Sequence, residues 1–388
     1  MIEFEYWWLL VLPLFFVLGW LAARVDMNQL LSESSALPAA YFTGLNFLIK
    51  EQHDKAIDAF IEAVKSNTES LELHFALGSL FRRRGEVDRA IHLHQNLLER
   101  PQLSELQKTA IMVELAQDFL KAGLFDRAES LFRILCDAPS YQQAALRALL
   151  DIYIREREWL RAIETASELQ RLSGVPFHKE IAEFHCELAA THPLKLEQHL
   201  AAALQTNPFC IRANIMLGDH ALDEGRHEDA IAAWQRIEHQ KPQYLGLIAA
   251  RLLTTYQSLS RGDEGLDLLK SWVRKHNLTT VLNVVYEATL AQNGPVSAAE
   301  IAREELSKHP SLNVLDRLLQ ALETSENGAS TVQQDVPLMK NTVRYFLGNS
   351  RSYCCDQCGF KARQYYWQCP GCNGWETFPP EPKEQPLR

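Results

Sequence analysis

Apolar residues recur at helical spacing from residue 37 to residue 322, separated by short polar turns. Such spacing predicts amphipathic helices. Small residues repeat within this pattern, because Gly44 and Gly78 lie thirty-four residues apart, as do Ala56 and Ala90. Further small positions in phase or near phase are Ala116, Ala128, Ala162, Gly218 and Ala230. A fixed period of this length indicates one repeated unit, so we predict about eight helical hairpins over residues 37–322.

The period resembles that of the tetratricopeptide repeat, in which a small residue lets two helices approach and a bulky residue fills the seam. Phe60, Phe132 and Trp234 are the bulky residues here. One hairpin cannot bury both of its faces, so hairpins are expected to stack into a superhelix with a concave groove. The positions that face the groove in tetratricopeptide repeats correspond to six candidate groove residues in this sequence: Phe75, Ser79, Arg82, Ile215, Asp219 and Leu222. An irregular helical bundle is the alternative.

The first 25 residues contain a separate apolar segment. Tyr6–Ala23 holds eighteen residues without a charge, which is about the length that a transmembrane helix needs. Glu3 and Glu5 precede it and Arg24 follows it. This order of charges predicts a retained single-pass anchor with the body of the chain in the cytoplasm. A cleaved signal peptide is the alternative.

The repeat pattern ends near residue 322. The polar stretch Ser325–Asp335 predicts a linker. Apolar residues then return at helical spacing and predict a short helix that docks on the last hairpin, namely Met339, Val343, Phe346 and Leu347. We therefore assign residues 323–350 to a linker and short helix, residues 351–379 to a metal domain and residues 380–388 to a tail.

Four cysteines near the C-terminus have the spacing of metal ligands. Cys355 and Cys358 are separated by two residues, and so are Cys369 and Cys372, after an interval of ten residues. Two such pairs can surround one zinc or iron ion tetrahedrally. The adjacent Cys354 would be strained as a further ligand, so we leave it out of the site. Because four thiolates leave no open position for a substrate, the site is predicted to be structural.

Gly359 and Asn373 follow the two cysteine pairs at places where a metal knuckle favours a positive φ angle. A segment of this size lacks a core of its own, so the ion is expected to supply much of its folding free energy. A redox carrier that binds iron is the alternative. The aromatic residues Tyr353, Phe360, Trp367 and Trp375 are expected to pack the knuckles and their contact with the repeats.

Composition and motifs exclude several other classes of protein. The chain is 47% hydrophobic and has a formal net charge of −10, which is typical of an ordered protein and unsuited to nucleic-acid phosphates. No HExxH, GxSxG, phosphate-binding glycine loop or dinucleotide fingerprint occurs. We therefore predict a protein that is not an enzyme and does not bind nucleic acid.

The order of these parts resembles the lipopolysaccharide assembly protein B family. The resemblance rests on residues 44–60 (GLNFLIKEQHDKAIDAF), on residues 77–95 (LGSLFRRRGEVDRAIHLHQ) and on the CDQCGF and CPGCNGW knuckles, and it extends over essentially the whole chain. It implies an all-α tetratricopeptide-repeat superhelix with an N-terminal transmembrane helix and a small rubredoxin-like or zinc-ribbon domain. The ligands of its single ion would be Cys355, Cys358, Cys369 and Cys372.

The resemblance also implies a function and partners. The protein would be an adaptor at the bacterial inner membrane that presents the deacetylase of the committed step of lipid A synthesis to the FtsH protease, restrained by an inner-membrane sensor protein. Lipopolysaccharide transport proteins are further expected partners, and a homodimer is left open. The alternative function is an assembly platform that brings lipopolysaccharide synthesis and transport proteins together without a role in proteolysis.

Overall fold

A computed structural model describes residues 39–324, 331–350 and 353–381. The predicted anchor Tyr6–Ala23, the first part of the predicted linker and the end of the tail lie outside these residues. Over the ranges that are described, no helix combines the length and the apolar character needed to cross a membrane. The chain divides into two compact units, with the boundary between Glu156 and Arg157.

The first unit is a series of helices in which each one packs against the next. These helices are α1 (Ala39–Ile49), α2 (His53–Ser66), α3 (Leu71–Arg84), α4 (Val87–Leu98), α5 (Glu105–Ala122), α6 (Phe125–Leu135) and α7 (Gln142–Glu156). Ser104 begins α5 with a capping box shared with Gln107, which satisfies backbone N–H groups that a helix start leaves free. The turn after α3 uses Gly85 at φ 86°, a left-handed cap that glycine adopts without steric cost.

The second unit continues the helices and ends in a small ribbon. Its helices are α8 (Trp159–Ser173), α9 (His178–Thr191), α10 (Leu196–Thr206), α11 (Ile211–Asp223), α12 (His227–Gln240), α13 (Ala249–Ser258), α14 (Gly262–His276), α15 (Thr279–Lys308), α16 (Leu312–Thr324) and α17 (Thr331–Ser350). Short 3-10 helices cover Pro193–Lys195 and Pro242–Leu247. The ribbon contains β1 (Tyr353–Cys354), which pairs antiparallel with β2 (Lys361–Ala362).

The small and bulky positions of the repeat meet as the sequence predicts. A Cβ atom added to Gly44 would lie 2.7 Å from the ring of Phe60, and one added to Gly218 would lie 2.3 Å from the indole of Trp234. Both bulky side chains are fully buried. The prediction of an all-α fold of repeated hairpins is therefore confirmed at the seams of individual hairpins.

One helix is kinked, and another begins inside the predicted linker. Helix α15 contains a kink at Gly294 (φ 81°, ψ 178°), followed by Pro295, so it behaves as two successive helices. Helix α17 begins at Thr331, inside the predicted linker Ser325–Asp335. Its Val343 and Leu347 are buried against α16 as predicted, whereas Met339 is 50% exposed.

Candidate metal centre

Two knuckle turns of matching backbone geometry form the C-terminal ribbon. In the first, the N–H of Gly359 donates to the carbonyl of Cys355 at 2.9 Å, and in the second the N–H of Asn373 donates to the carbonyl of Cys369 at 2.9 Å. Gly359 has φ 74° and Asn373 has φ 57°. The positive φ angles predicted for these two residues are confirmed, and they let each turn reverse immediately after its second thiol.

The two knuckles bring the four predicted ligands together. The Sγ atoms of Cys355 and Cys372 are 3.7 Å apart and those of Cys358 and Cys369 are 3.6 Å apart. All four sulfur atoms lie within 4.8 Å of one another. Four sulfurs bonded to one tetrahedral ion at about 2.3 Å would be separated by about 3.8 Å. The residues therefore fit a single zinc or iron ion, which would hold the two turns together.

Cys354 takes no part in this group. Its Sγ atom lies 3.7 Å from the carbonyl oxygen of Gly359 and 3.9 Å from that of Cys355, on the β1 strand. The geometry thus agrees with leaving this fifth thiol out of the site.

Hydrogen bonds favour the ionised form of one ligand even before an ion is considered. Burial raises the pKa of the Cys355 thiol, but hydrogen bonds from Thr377 and from the backbone N–H groups of Cys358 and Gln357 outweigh it, and the pKa falls to about 6. Since metals bind thiolates rather than thiols, this environment prepares Cys355 for coordination at neutral pH.

Two tryptophans of the ribbon pack on the helices of the second unit. The ring centre of Trp375 lies 6.3 Å from that of Trp159 in α8 and 6.2 Å from that of Phe184 in α9. Trp367 stacks on Tyr244 at 5.8 Å with an interplanar angle of 14°. The predicted packing role of both tryptophans is confirmed, and the ribbon is fixed to the repeats through aromatic contacts.

Charged side chains reinforce the same contact. Glu376, whose side chain is 4% exposed, accepts a hydrogen bond from Lys241 at 2.7 Å and lies 3.9 Å from the ammonium of Lys179. The Glu381 carboxylate accepts a hydrogen bond from the backbone N–H of Thr280 at 3.1 Å. One face of the ribbon therefore joins α9, the segment before Pro242–Leu247 and the start of α15.

A buried ion pair lies beneath the tryptophans. The guanidinium carbon of Arg212 is 5.8 Å from the ring centre of Trp367 and 5.9 Å from that of Trp375. Its Nη1 atom donates to Glu187 at 2.7 Å and to Glu183 at 3.4 Å. Burial outweighs the attraction of Arg212 and raises the pKa of Glu183 to about 8. Sequence reasoning missed this cluster, since a single Glu within a helix carries no distinguishing pattern.

The candidate groove residues of the second repeat are partly buried, and each contacts other residues of the chain. Arg82 donates to Asp118 and to Glu114, each at 2.7 Å, and Asp118 also contacts the buried His94 at 2.5 Å. Phe75 packs against a cluster that includes Leu71, Leu97 and Ile111, and the Ser79 hydroxyl donates to the carbonyl of Ala76. The assignment of these residues to partner binding stays a prediction.

The candidates of the sixth repeat are similarly engaged. Ile215 is 5% exposed and lies in the core, so it offers little surface to a partner. Asp219 is paired with Arg251, and Leu222 is partly buried against the same core. The prediction that Asp219 and Leu222 bind a partner remains to be tested.

Comparisons with known proteins agree with both parts of the architecture. Residues 353–380 match the family described as a rubredoxin metal binding domain. Residues 44–102 and 197–244 match the tetratricopeptide repeat family. These matches confirm the predicted repeats and the predicted four-cysteine domain.

Two relatives align with nearly the whole chain. The Escherichia coli K12 protein named lipopolysaccharide assembly protein B is 32% identical over 96% of this chain and 97% of its own length. The Haemophilus influenzae protein of the same name is 30% identical over 96% of this chain and 97% of its own length. Among solved structures, Pseudomonas aeruginosa pilF covers 54% of this chain and 94% of its own at 15% identity, with a TM-score of 0.34, too low to support an inference about function.

Proposed function

The chain belongs to the lipopolysaccharide assembly protein B family, and on that premise we propose that it acts in lipopolysaccharide assembly as a non-enzymatic adaptor at the bacterial inner membrane. In this proposal it presents the deacetylase of the committed step of lipid A synthesis to the FtsH protease. The uncharged segment Tyr6–Ala23 supports the membrane part of the proposal, because its length suits a single transmembrane helix.

The observation that carries the proposal is the closed metal site and its attachment to the repeats. Four thiolates around one ion leave no coordination position for a substrate, so the ion acts as a structural link. Trp375 and Glu376 then attach the ribbon to α8 and α9. A ribbon attached in this way extends the surface of a binding scaffold, which is what an adaptor requires.

The partner surface of the adaptor is part of the same proposal. Repeat arrays of this kind bind protein segments along their exposed helix faces. Of the six residues derived from the repeat pattern, Ile215 is buried and the other five keep part of their surface exposed. An inner-membrane sensor protein would restrain the adaptor through the membrane segment, and the transport proteins of the pathway are further partners.

The turnover of the deacetylase tests this proposal. After the chain is depleted from its native cells and translation is blocked, we expect the half-life of the deacetylase to lengthen while its messenger level stays unchanged. Restoring the full chain should restore rapid turnover. A variant with Trp375→Ala, which weakens ribbon attachment, should restore it less well than a matched Trp367→Phe variant that keeps an aromatic ring on Tyr244.

An unchanged half-life on depletion would overturn the proteolytic role. If transport components then co-purified with the chain while deacetylase turnover stayed normal, the result would support the assembly platform instead. The half-life is read from depleted cells and the co-purification from cells that contain the chain, so the two measurements together separate the two functions.

A further inference from the structure

Two cavities lie side by side where helices α8 and α9 of the second unit meet. Their volumes are about 480 Å³ and about 330 Å³. Both are lined by Leu160 near the start of α8 and, at or just after the end of α9, by Leu188, Thr191 and His192. Because these four residues belong to both cavities, the cavities form one open groove, which we call the α8–α9 groove.

Apolar side chains line both cavities of the groove. Trp159 and Leu188 are buried lining residues. Leu160 and Leu194 line the groove but are exposed, and Leu160 keeps 60% of its surface open to solvent. Trp159 also packs against Trp375, so the groove is continuous with the attachment of the ribbon. Exposed leucines around a concave site suit the apolar side chains of a partner.

Two cations of the groove lack an acidic partner within the chain. Arg157 lines the larger cavity and Lys195 lines the smaller one. Both are exposed, and neither forms an ion pair with any residue that the structure describes. The two acids of the groove are already engaged, since Glu158 pairs with Arg161 at 2.7 Å and Glu187 pairs with an arginine of α11 at 2.7 Å. Each cavity therefore carries a positive charge that no acid of the groove neutralises.

We propose that the α8–α9 groove binds an acidic, apolar segment of a partner protein. The apolar side chains of the segment contact Leu160 and Leu188, while its carboxylates pair with Arg157 and Lys195. A guanidinium forms two parallel hydrogen bonds to a carboxylate, which makes Arg157 the stronger of the two charged contacts. This binding role rests on the proposed function of the chain as an adaptor, and it specifies the surface that binds and the chemistry of what is bound.

Charge favours a partner protein over the chain's own end as the occupant. Residues 382–388 carry the cations Lys383 and Arg388 and one acidic side chain, Glu384. Their surplus of positive side chains would be repelled by Arg157 and Lys195. An acidic segment of another protein matches the groove better, because attraction between opposite charges and burial of apolar surface then act together.

Selection from a random peptide library tests this role without knowledge of the natural partner. The bait is the full chain in detergent, with zinc bound to its four cysteines. We expect the selected peptides to combine Asp or Glu with Leu, Ile or Phe, and to bind less tightly as the salt concentration rises. The affinity of the best peptide is then measured by fluorescence anisotropy for the chain and for its variants.

The Arg157→Gly variant separates binding from folding. Arg157 has φ 59°, a left-handed conformation that glycine adopts without steric cost, so the variant should keep the urea midpoint of the wild type. It should nevertheless weaken peptide binding about tenfold or more, the worth of one hydrogen bond to a charged group. Leu160→Ser, at an exposed position, should also weaken binding.

Arg155→Ala is the matched control. This exposed arginine pairs with Asp151 and does not line the groove, so the variant should bind the best peptide as the wild type does. The proposal fails if the library yields no peptide, if the selected peptides are basic, or if Arg157→Gly and Arg155→Ala have equal affinities.

Two other occupants would also overturn the proposal. If peptides bound only after deletion of residues 382–388, the groove would hold the chain's own end. If Arg157→Gly dissociated an oligomer of the chain, as seen by sedimentation, the groove would hold a second copy. The half-life of the deacetylase is measured separately in cells, so failure of the adaptor role and failure of the groove are distinguished.

Discussion

Replacing Glu183 by glutamine should raise the free energy of unfolding, and this gain should increase with pH. The Glu183 side chain is fully buried and its Oε1 atom has no hydrogen-bond partner among the described residues. Arg212 is its nearest cation, but the guanidinium lies closer to Glu187, at 2.7 Å against 3.4 Å for Glu183. Burial therefore dominates, and the neutral form that glutamine imitates is the favoured one in the folded protein.

The size of the effect follows from the two pKa values of this carboxyl. The pKa of Glu183 is 4.5 in an unfolded chain and about 8 in the folded protein. Between these values the folded state binds more protons than the unfolded state, so the free energy of unfolding falls as pH rises. Each pH unit in this window is worth about 1.4 kcal/mol. The free energy of unfolding of the Glu183→Gln variant should be higher than that of the wild type. This advantage should be a few kcal/mol larger near pH 8 than near pH 5.

Urea denaturation of the zinc-loaded protein at a series of pH values measures this difference. Glu187→Gln is the control, because it removes the closer carboxylate of the same guanidinium and should lower stability by about 1.5–3 kcal/mol, the usual worth of a hydrogen bond to a charged group. A Glu183→Gln variant that is less stable than the wild type at pH 8, or whose advantage does not change with pH, would refute the reasoning.

Three further predictions concern the ribbon and the hairpin seams. Cys355→Ser or Cys369→Ser should abolish metal binding while circular dichroism shows the repeat helices intact, and a collapse of helicity with metal loss would contradict this. Trp375→Ala should weaken attachment of the ribbon by about 3–5 kcal/mol, seen as faster hydrogen exchange in the ribbon at unchanged metal content. Gly218→Ala should lower the unfolding free energy by about 1–3 kcal/mol, because its Cβ would lie 2.3 Å from Trp234, and an unchanged denaturation midpoint would show that the indole can move aside.

The parts of the fold that sequence reasoning could predict depend on short, fixed spacings. Gly218 and Trp234 are sixteen residues apart, as are Gly44 and Phe60, so one hairpin rule locates both contacts. The metal site is similarly local, since each knuckle needs only two cysteines and a residue that tolerates positive φ, as at Gly359. In such elements a short sequence pattern is enough to predict the geometry.

Contacts between distant segments leave no comparable pattern. Trp375 packs on Trp159, more than two hundred residues earlier in the chain, and nothing periodic connects them. The candidate groove residue Arg82 illustrates a second difficulty. Its position in the repeat could be inferred, but its partners Glu114 and Asp118 lie on α5 of the following repeat. Two acids four residues apart on a helix are common on solvated surfaces, so their spacing does not indicate a buried ion pair.

The metal ion and the buried carboxyl are connected through the docked ribbon. If the ion supplies most of the ribbon's folding free energy, its removal should release Trp375 and Glu376 from the helices of the second unit. Glu183 and Arg212, which these ribbon residues now cover, would then be hydrated, and the carboxyl would ionise near its ordinary pKa. The pH-dependent advantage of Glu183→Gln should therefore disappear in protein stripped of metal by a chelator. If the advantage persisted without the ion, the helices alone would be burying Glu183, and the ribbon would have no part in setting its charge.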